Sequence, residues 1–182
     1  EEDASGVPRD KWRAAGKTKA LPDGQTLHWW LAKGVEIVDA YVDWAMQMDT
    51  PDMIEDDISG FLDADIQIKG TIDRVYGDMI VDIKTSTALP KTGEAQLGVY
   101  RAALLARDGE APSTGAYYMA KDGKLSRPYD LSIWTPEYAA EIFRQFKAGV
   151  NAGVFLPSPS FSCNSCPVRT ACYTAKGADS MK

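Results

Sequence analysis

The chain has 182 residues, 45% hydrophobic and 25% charged. That suits one domain, or one domain with an appended segment, able to bury roughly 70% of its unfolded surface without disulfide staples. The formal net charge is −6, from 26 acidic against 20 basic residues. This argues against a protein that coats nucleic acid through bulk positive charge, and leaves room for an enzyme that meets phosphate through metal ions and a local basic patch. No apolar run approaches the ~20 residues of a membrane helix, and the composition excludes collagen, disorder and a disulfide scaffold.

Residues 1–27 are polar, with a basic patch of Arg9, Lys11, Arg13, Lys17 and Lys19, which reads either as a solvated arm or as a DNA-contacting one. The opening Glu1-Glu2-Asp3-Ala4 has neither an initiator Met nor a signal peptide, so the natural N-terminus is expected upstream. From Trp29 to about Met48 the apolar residues Trp30, Ile37, Val38, Tyr41, Val42 and Ala45 recur at helical spacing and predict an amphipathic helix. Thr50-Pro51 stops it. A strand is expected within 56–69, ending in the alternating Ile66-Gln67-Ile68, and continuing over 70–76. Gly77-Asp78 signals a turn and Met79–Thr85 the next strand. Residues 93–107 read as a helix. Ser113–Ala120 and Leu125–Leu131 read as a hairpin, and Thr135 caps a last helix with Pro136 at its first position. A mixed α/β fold follows, a central sheet with helices packed on it.

The informative stretch is Gly70-Thr71-Ile72-Asp73-Arg74-Val75-Tyr76-Gly77-Asp78-Met79-Ile80-Val81-Asp82-Ile83-Lys84-Thr85. A two-residue loop at Gly77-Asp78 pairs Tyr76 with Met79 and puts Asp73 opposite Asp82. Strand alternation then places Asp73, Asp82 and Lys84 on one face, and Ile72, Val81 and Ile83 on the other. Cross-strand carboxylates about 5 Å apart repel by roughly 3 kcal/mol at an effective dielectric of about 20. Either Lys84 offsets this alone, or a hard divalent cation, magnesium or manganese, sits between the carboxylates. A solvated charged face of an exposed hairpin is the plain alternative. On the next helix Gln96 and Tyr100 are four apart and share a face.

Together Gly70-x-x-Asp73-Arg74-Val75, Asp82-Ile83-Lys84-Thr85-Ser86 and Gln96-x-x-x-Tyr100 resemble the RecB-like branch of the PD-(D/E)xK nuclease superfamily, over roughly residues 30–120. The resemblance implies a restriction-endonuclease-like core and a metal-dependent DNA nuclease. It further suggests an exonuclease acting on DNA ends or single strands, with phage recombination or DNA repair as the setting and recombination or repair proteins as partners. It implies that Asp73, Asp82 and the Ile83 carbonyl hold Mg2+ or Mn2+. Lys84 would orient the attacking water and stabilise developing charge, while Gln96 and Tyr100 support the site. Such nucleases commonly carry Gly-x-x-x-His on the first helix; counting from Gly34 gives Val38. Glu36 is the preferred substitute, with Asp39 as its rival, much as an acidic residue serves in related phage exonucleases. A catalytically silent DNA-binding module of a larger assembly is the alternative that this departure favours. A small non-nuclease protein organised by its cysteines is a further one.

Cys163-x-x-Cys166-x5-Cys172 follows a Pro-rich loop. Thiolates so spaced suit a soft metal and a reducing compartment, the cytoplasm, that of the host if the chain is phage-encoded. The spacing is similar to the C-terminal part of the iron–sulfur staple of AddB-type and CRISPR-associated RecB-like nucleases, which implies a 4Fe–4S cluster. The fourth cysteine is not in this chain and would lie upstream of Glu1. A zinc site with His28 as fourth ligand is the competitor; otherwise His28 is a capping or surface residue. The expected division is a nuclease core over 1–156 and a Cys-rich tail over 157–182 packed on it.

Overall fold

The computed structural model describes residues 27–86, 88–91 and 93–154, with Cys163, Cys166, Pro167, Arg169 and Cys172. The basic patch between Arg9 and Lys19 lies outside the described residues. Two compact units are distinguished, residues 31–148 and the two flanking segments, 1–30 with 149–182. The larger unit carries the sheet. No described helix is long and apolar enough to cross a membrane.

The elements are α1 (Leu27–Ala45), β1 (Met53–Asp57), β2 (Gly60–Phe61), β3 (Gln67–Ile68), β4 (Thr71–Tyr76), β5 (Met79–Lys84), α2 (Ala95–Asp108), β6 (Thr114–Met119), β7 (Lys124–Leu125), β8 (Tyr129–Asp130) and α3 (Pro136–Asn151). The main sheet runs β1-β4-β5-β6-β7, with β8 also on β6. The β5–β6 pair is parallel and the others are antiparallel. Parallel neighbours need a crossover. Here it is α2, which lays Leu97, Ala103 and Leu104 on Ile72, Val75 and Ile80. On the opposite face α1 packs Ile37, Tyr41 and Trp44 on Val81 and Tyr118. The result is a mixed sheet between helices, consistent with a restriction-endonuclease-like core.

The central hairpin forms in the expected register, with Tyr76 on Met79 and Arg74 on Val81. Gly77 takes φ +51 in the turn, which a side chain would resist. The α3 cap is as expected, Thr135 Oγ1 accepting the Tyr138 N–H at 3.2 Å.

Four local expectations change. The single strand over 56–69 is broken, because Asp57 Oδ1 accepts the Ser59 N–H and Asp63 Oδ1 those of Asp65 and Ile66. Such turns take backbone donors away from a ladder. The return strand over 125–131 is likewise split into β7 and β8. Ser126 bonds to the Tyr117 backbone through its amide and its hydroxyl oxygen, and Pro128 has no N–H to offer. On α1 the sheet-facing stripe is Ile37, Tyr41, Trp44 and Met48, whereas Val38 and Val42 are exposed. The Trp44 and Tyr41 rings, 4.4 and 5.5 Å from the Tyr118 ring, set that rotation. Finally Ile72 joins the α2-side core, while Val81 and Ile83 pack on the α1 side. The ladder between β1 and β4 skips Glu55 and Asp73, and Glu55 takes φ +49. That local break upsets the strict two-residue alternation of β4.

One glycine carries the α2 packing. A Cβ on Gly98 would lie 2.0 Å from the Trp134 ring, which is itself buried. Gly98→Ala is expected to lower unfolding stability by about 1–3 kcal/mol through overpacking, measured by urea denaturation against Gly34→Ala, whose Cβ would meet nothing within 4 Å.

Candidate active site

The site lies on the α2 face of β4 and β5. Among the described residues Asp82 is the buried charged side chain, 3% exposed. Parallel pairing with Tyr117 holds its backbone in the sheet centre, and alternation puts Lys84 on the same side. The Gln96 amide closes the group: its Nε2 donates to Asp82 Oδ1 at 2.8 Å and to the Tyr100 hydroxyl oxygen at 2.7 Å. Its Oε1 accepts from Lys84 Nζ at 3.0 Å. Lys84 Nζ also stands 2.6 Å from Asp82 Oδ2. That contact is close but poorly directed, since the buried Oδ2 has no hydrogen-bond partner.

Asp73 joins from β4. One step beyond the Arg74–Val81 pair, Asp73 Oδ2 accepts the Ile83 N–H at 2.7 Å in place of a backbone ladder bond. The adjoining break at Glu55 goes with an ion pair to Arg74 at 3.3 Å, and Arg74 Nη1 donates to the Asp73 carbonyl at 2.5 Å.

The electrostatics follow from this crowding. Burial pushes the Asp82 carboxyl above its ordinary value; Lys84 draws it down, and the Asp73 charge adds to the rise. The Tyr100 hydroxyl is raised first by burial, with Asp82 and Asp73 pushing the same way and Gln96 opposing. A buried carboxylate raised by desolvation and by the neighbouring Asp73 charge, with a single ammonium beside it, is short of positive charge. A hard divalent cation fits that deficit, because oxygen donors are what magnesium and manganese take. Asp73, Asp82 and the Ile83 carbonyl are the groups that would hold it. No group of three or more His, Cys, Asp or Glu side chains converges among the described residues.

Asp73, Asp82, Lys84, Gln96 and Tyr100 are thus brought together. Glu36 is not. It is exposed on α1, paired with Lys33 at 2.8 Å, and α1 packs on the other face of the sheet. Asp39 is exposed as well. Gly70, the first residue of the motif that holds Asp73, and Tyr117, which no motif contains, also contribute. Gly70 lies against Ile58 and Tyr100, where a Cβ would come within 3.6 Å of the tyrosine ring. Tyr117 lies beside Lys84, its ring centre 5.7 Å from Nζ. No sequence signal marked Tyr117, because its neighbour Asp82 is 35 residues away and reaches it through the parallel ladder.

The cysteines are half-buried. The Cys166 amide donates to the Cys163 carbonyl, that of Arg169 to Cys166 and that of Cys172 to Arg169. The three thiols do not form a metal-holding group among the described residues, and His28 is exposed.

A family model for the PD-(D/E)XK nuclease superfamily matches residues 1–173. The Gene 69 protein of Mycobacterium phage L5 is 37% identical over 125 residues, 65% of this chain and 40% of that protein. The Gene 69 protein of Mycobacterium phage D29 is 37% identical over 126 residues, 62% of this chain and 46% of that protein. The matches span less than half the length of either relative.

If the carboxylates hold a cation, manganese or magnesium stabilises the fold by linkage, about 2.7 kcal/mol at a concentration about 100-fold above Kd. The melting temperature is expected to rise with either ion and to fall back with a chelator. Asp73→Ala and Asp82→Ala should lose the response, read by thermal unfolding of each variant with and without the ion.

Proposed function

The chain belongs to the PD-(D/E)XK nuclease superfamily, and from that premise we propose that it is a divalent-metal-dependent DNA nuclease whose catalytic group is Asp73, Asp82, Lys84, Gln96 and Tyr100. The observation that carries this reading is the buried Asp82 carboxylate, tied through Gln96 to Lys84 and Tyr100, with Lys84 Nζ 2.6 Å from its second oxygen. A bound divalent cation supplies neutralisation of the phosphate and a lower pKa for attacking water.

The protein's own residues do the rest. Asp73 and Asp82 present oxygens on one side of the sheet, and the Asp73–Ile83 bond keeps the Asp73 carboxylate from swinging away. Lys84 is held by Gln96 and Asp82, which leave an ammonium hydrogen for water or for a phosphate oxygen. Its positive charge favours the more negative transition state. Tyr100 accepts from Gln96, so its own O–H is left to donate toward the strand. Action on ends or single strands, as an exonuclease in phage recombination or in repair, is the finer form of this reading, and the family's habits are its support.

For the tail we infer a structural staple, a 4Fe–4S cluster to which Cys163, Cys166 and Cys172 contribute. Its support is the spacing of Cys163, Cys166 and Cys172 and the backbone bonds that join them through Arg169. The thiols as placed do not by themselves form the site, and no step of the reaction passes through it.

Two outcomes test these readings. Purified protein with manganese should degrade end-labelled linear DNA, and Asp82→Ala or Lys84→Ala should reduce the rate by a factor of about 100 or more while circular dichroism stays that of wild type. A well-folded wild type that cleaves no DNA form would favour the silent binding module. Anaerobically purified protein should be brown, with iron and sulfide in equal amounts. Stoichiometric zinc without iron would replace the cluster by a zinc site.

A further inference from the structure

We propose that Tyr117 is a positioning residue for the catalytic amine, acting on both partners of the Lys84–Gln96 bond. The inference rests on the nuclease reading above and names a residue that none of the sequence motifs contains.

Tyr117 is fully buried and sits on β6 directly beside Asp82 in the parallel ladder. Its two ends do different things. The ring lies 5.7 Å from Lys84 Nζ, within the range where an aromatic face attracts an ammonium. The hydroxyl donates to the Gly93 carbonyl at 2.7 Å. Gly93 takes φ +55 just before α2 begins, and Gln96 is the second residue of that helix. One side chain therefore lies against the lysine and also ties down the loop that aims the glutamine.

The placement is rigid. The Tyr117 amide donates to Ser126 Oγ at 3.0 Å, and its carbonyl accepts the Ser126 N–H at 2.8 Å. Tyr129 meets the ring edge-on at 6.0 Å. Lys84 has a long flexible stem, and among the described residues its head is held by the Gln96 Oε1 hydrogen bond and the ion pair with Asp82 Oδ2. An aromatic surface beside the stem removes rotamers that would carry the ammonium off the carboxylate. Misplacing a catalytic group by about 1 Å costs on the order of 100-fold in rate, so a side chain that limits such excursions acts on turnover rather than on substrate affinity.

The test separates the ring from the hydroxyl and the placement from the reaction. Lysines are labelled by reductive 13C-methylation, and the Lys84 signal is assigned by its loss in Lys84→Ala. In wild type that signal should be displaced upfield by the ring current of Tyr117, should stay displaced in Tyr117→Phe, and should return to the position of exposed lysines in Tyr117→Leu. Tyr117→Phe, which keeps the ring and drops only the bond to Gly93, should lower kcat about tenfold with KM unchanged. An undisplaced Lys84 signal in wild type overturns the role of the ring, whether or not Tyr117→Leu folds. A folded Tyr117→Phe with wild-type kcat overturns the role of the hydroxyl. A displaced Lys84 signal in a wild type that cleaves no DNA sinks the nuclease reading instead and leaves the placement of Lys84 standing.

Discussion

A carboxylate buried in a protein core is costly unless its charge is answered, and the site is organised around Asp82 for that reason. Gln96 takes one oxygen and Lys84 crowds the other without bonding it well. The amide cannot reach Asp82 unless α2 begins where it does. The amine cannot reach it unless β5 keeps its alternation through Lys84. The helix crossover and the strand register are thus both conditions of one small polar ring, and the residues that fix them, Gly98 under Trp134 and the Gly77 turn, stabilise the site from a distance.

The parallel β5–β6 pair is what gathers the group. Antiparallel neighbours are made locally by a tight turn, whereas a parallel neighbour arrives after a helix. That helix carries Gln96 and Tyr100 over the strand that carries Asp82 and Lys84, and the arriving strand brings Tyr117 alongside. A single βαβ unit therefore supplies most of the polar group. The antiparallel hairpin adds Asp73, released from the regular ladder where Glu55 breaks the pairing of β1.

An acidic protein that handles a polyanion must keep its negative charge from opposing the substrate. The acidic run from Asp52 to Asp65 is a case in point. Much of it is answered internally: Glu55 by Arg74, Asp56 by Arg107, and Asp63 and Asp65 by Arg144. Asp57 and Asp63 also spend oxygens on backbone amides. Exposed pairs of this kind add little stability. Their consequence is a partial offset of the negative charge along this stretch.

The turn and register of the central hairpin were legible in the residues, because Gly-Asp turn chemistry and period-two alternation are local, whereas Asp73 leaves the regular ladder at the Glu55 break, which no local pattern marks. The helices were legible from apolar spacing and from the Thr135-Pro136 start. The broken strands around Asp57, Asp63 and Ser126 were not, since a side chain that captures a backbone amide competes with the ladder and the winner depends on what the neighbouring strand offers. The rotation of α1 was also beyond local reading: Val38 and Ile37 are equally apolar, and Trp44 stacking on Tyr118 chose between them. Glu36 shows the same limit, for spacing put an acid on the first helix but could not say which sheet face that helix covers. Spacing along the chain encodes what neighbours in sequence can do. Which side of the sheet α1 covers, and the meeting of Tyr117 with Lys84, are contacts between segments far apart in sequence, and those were settled only when the core packed.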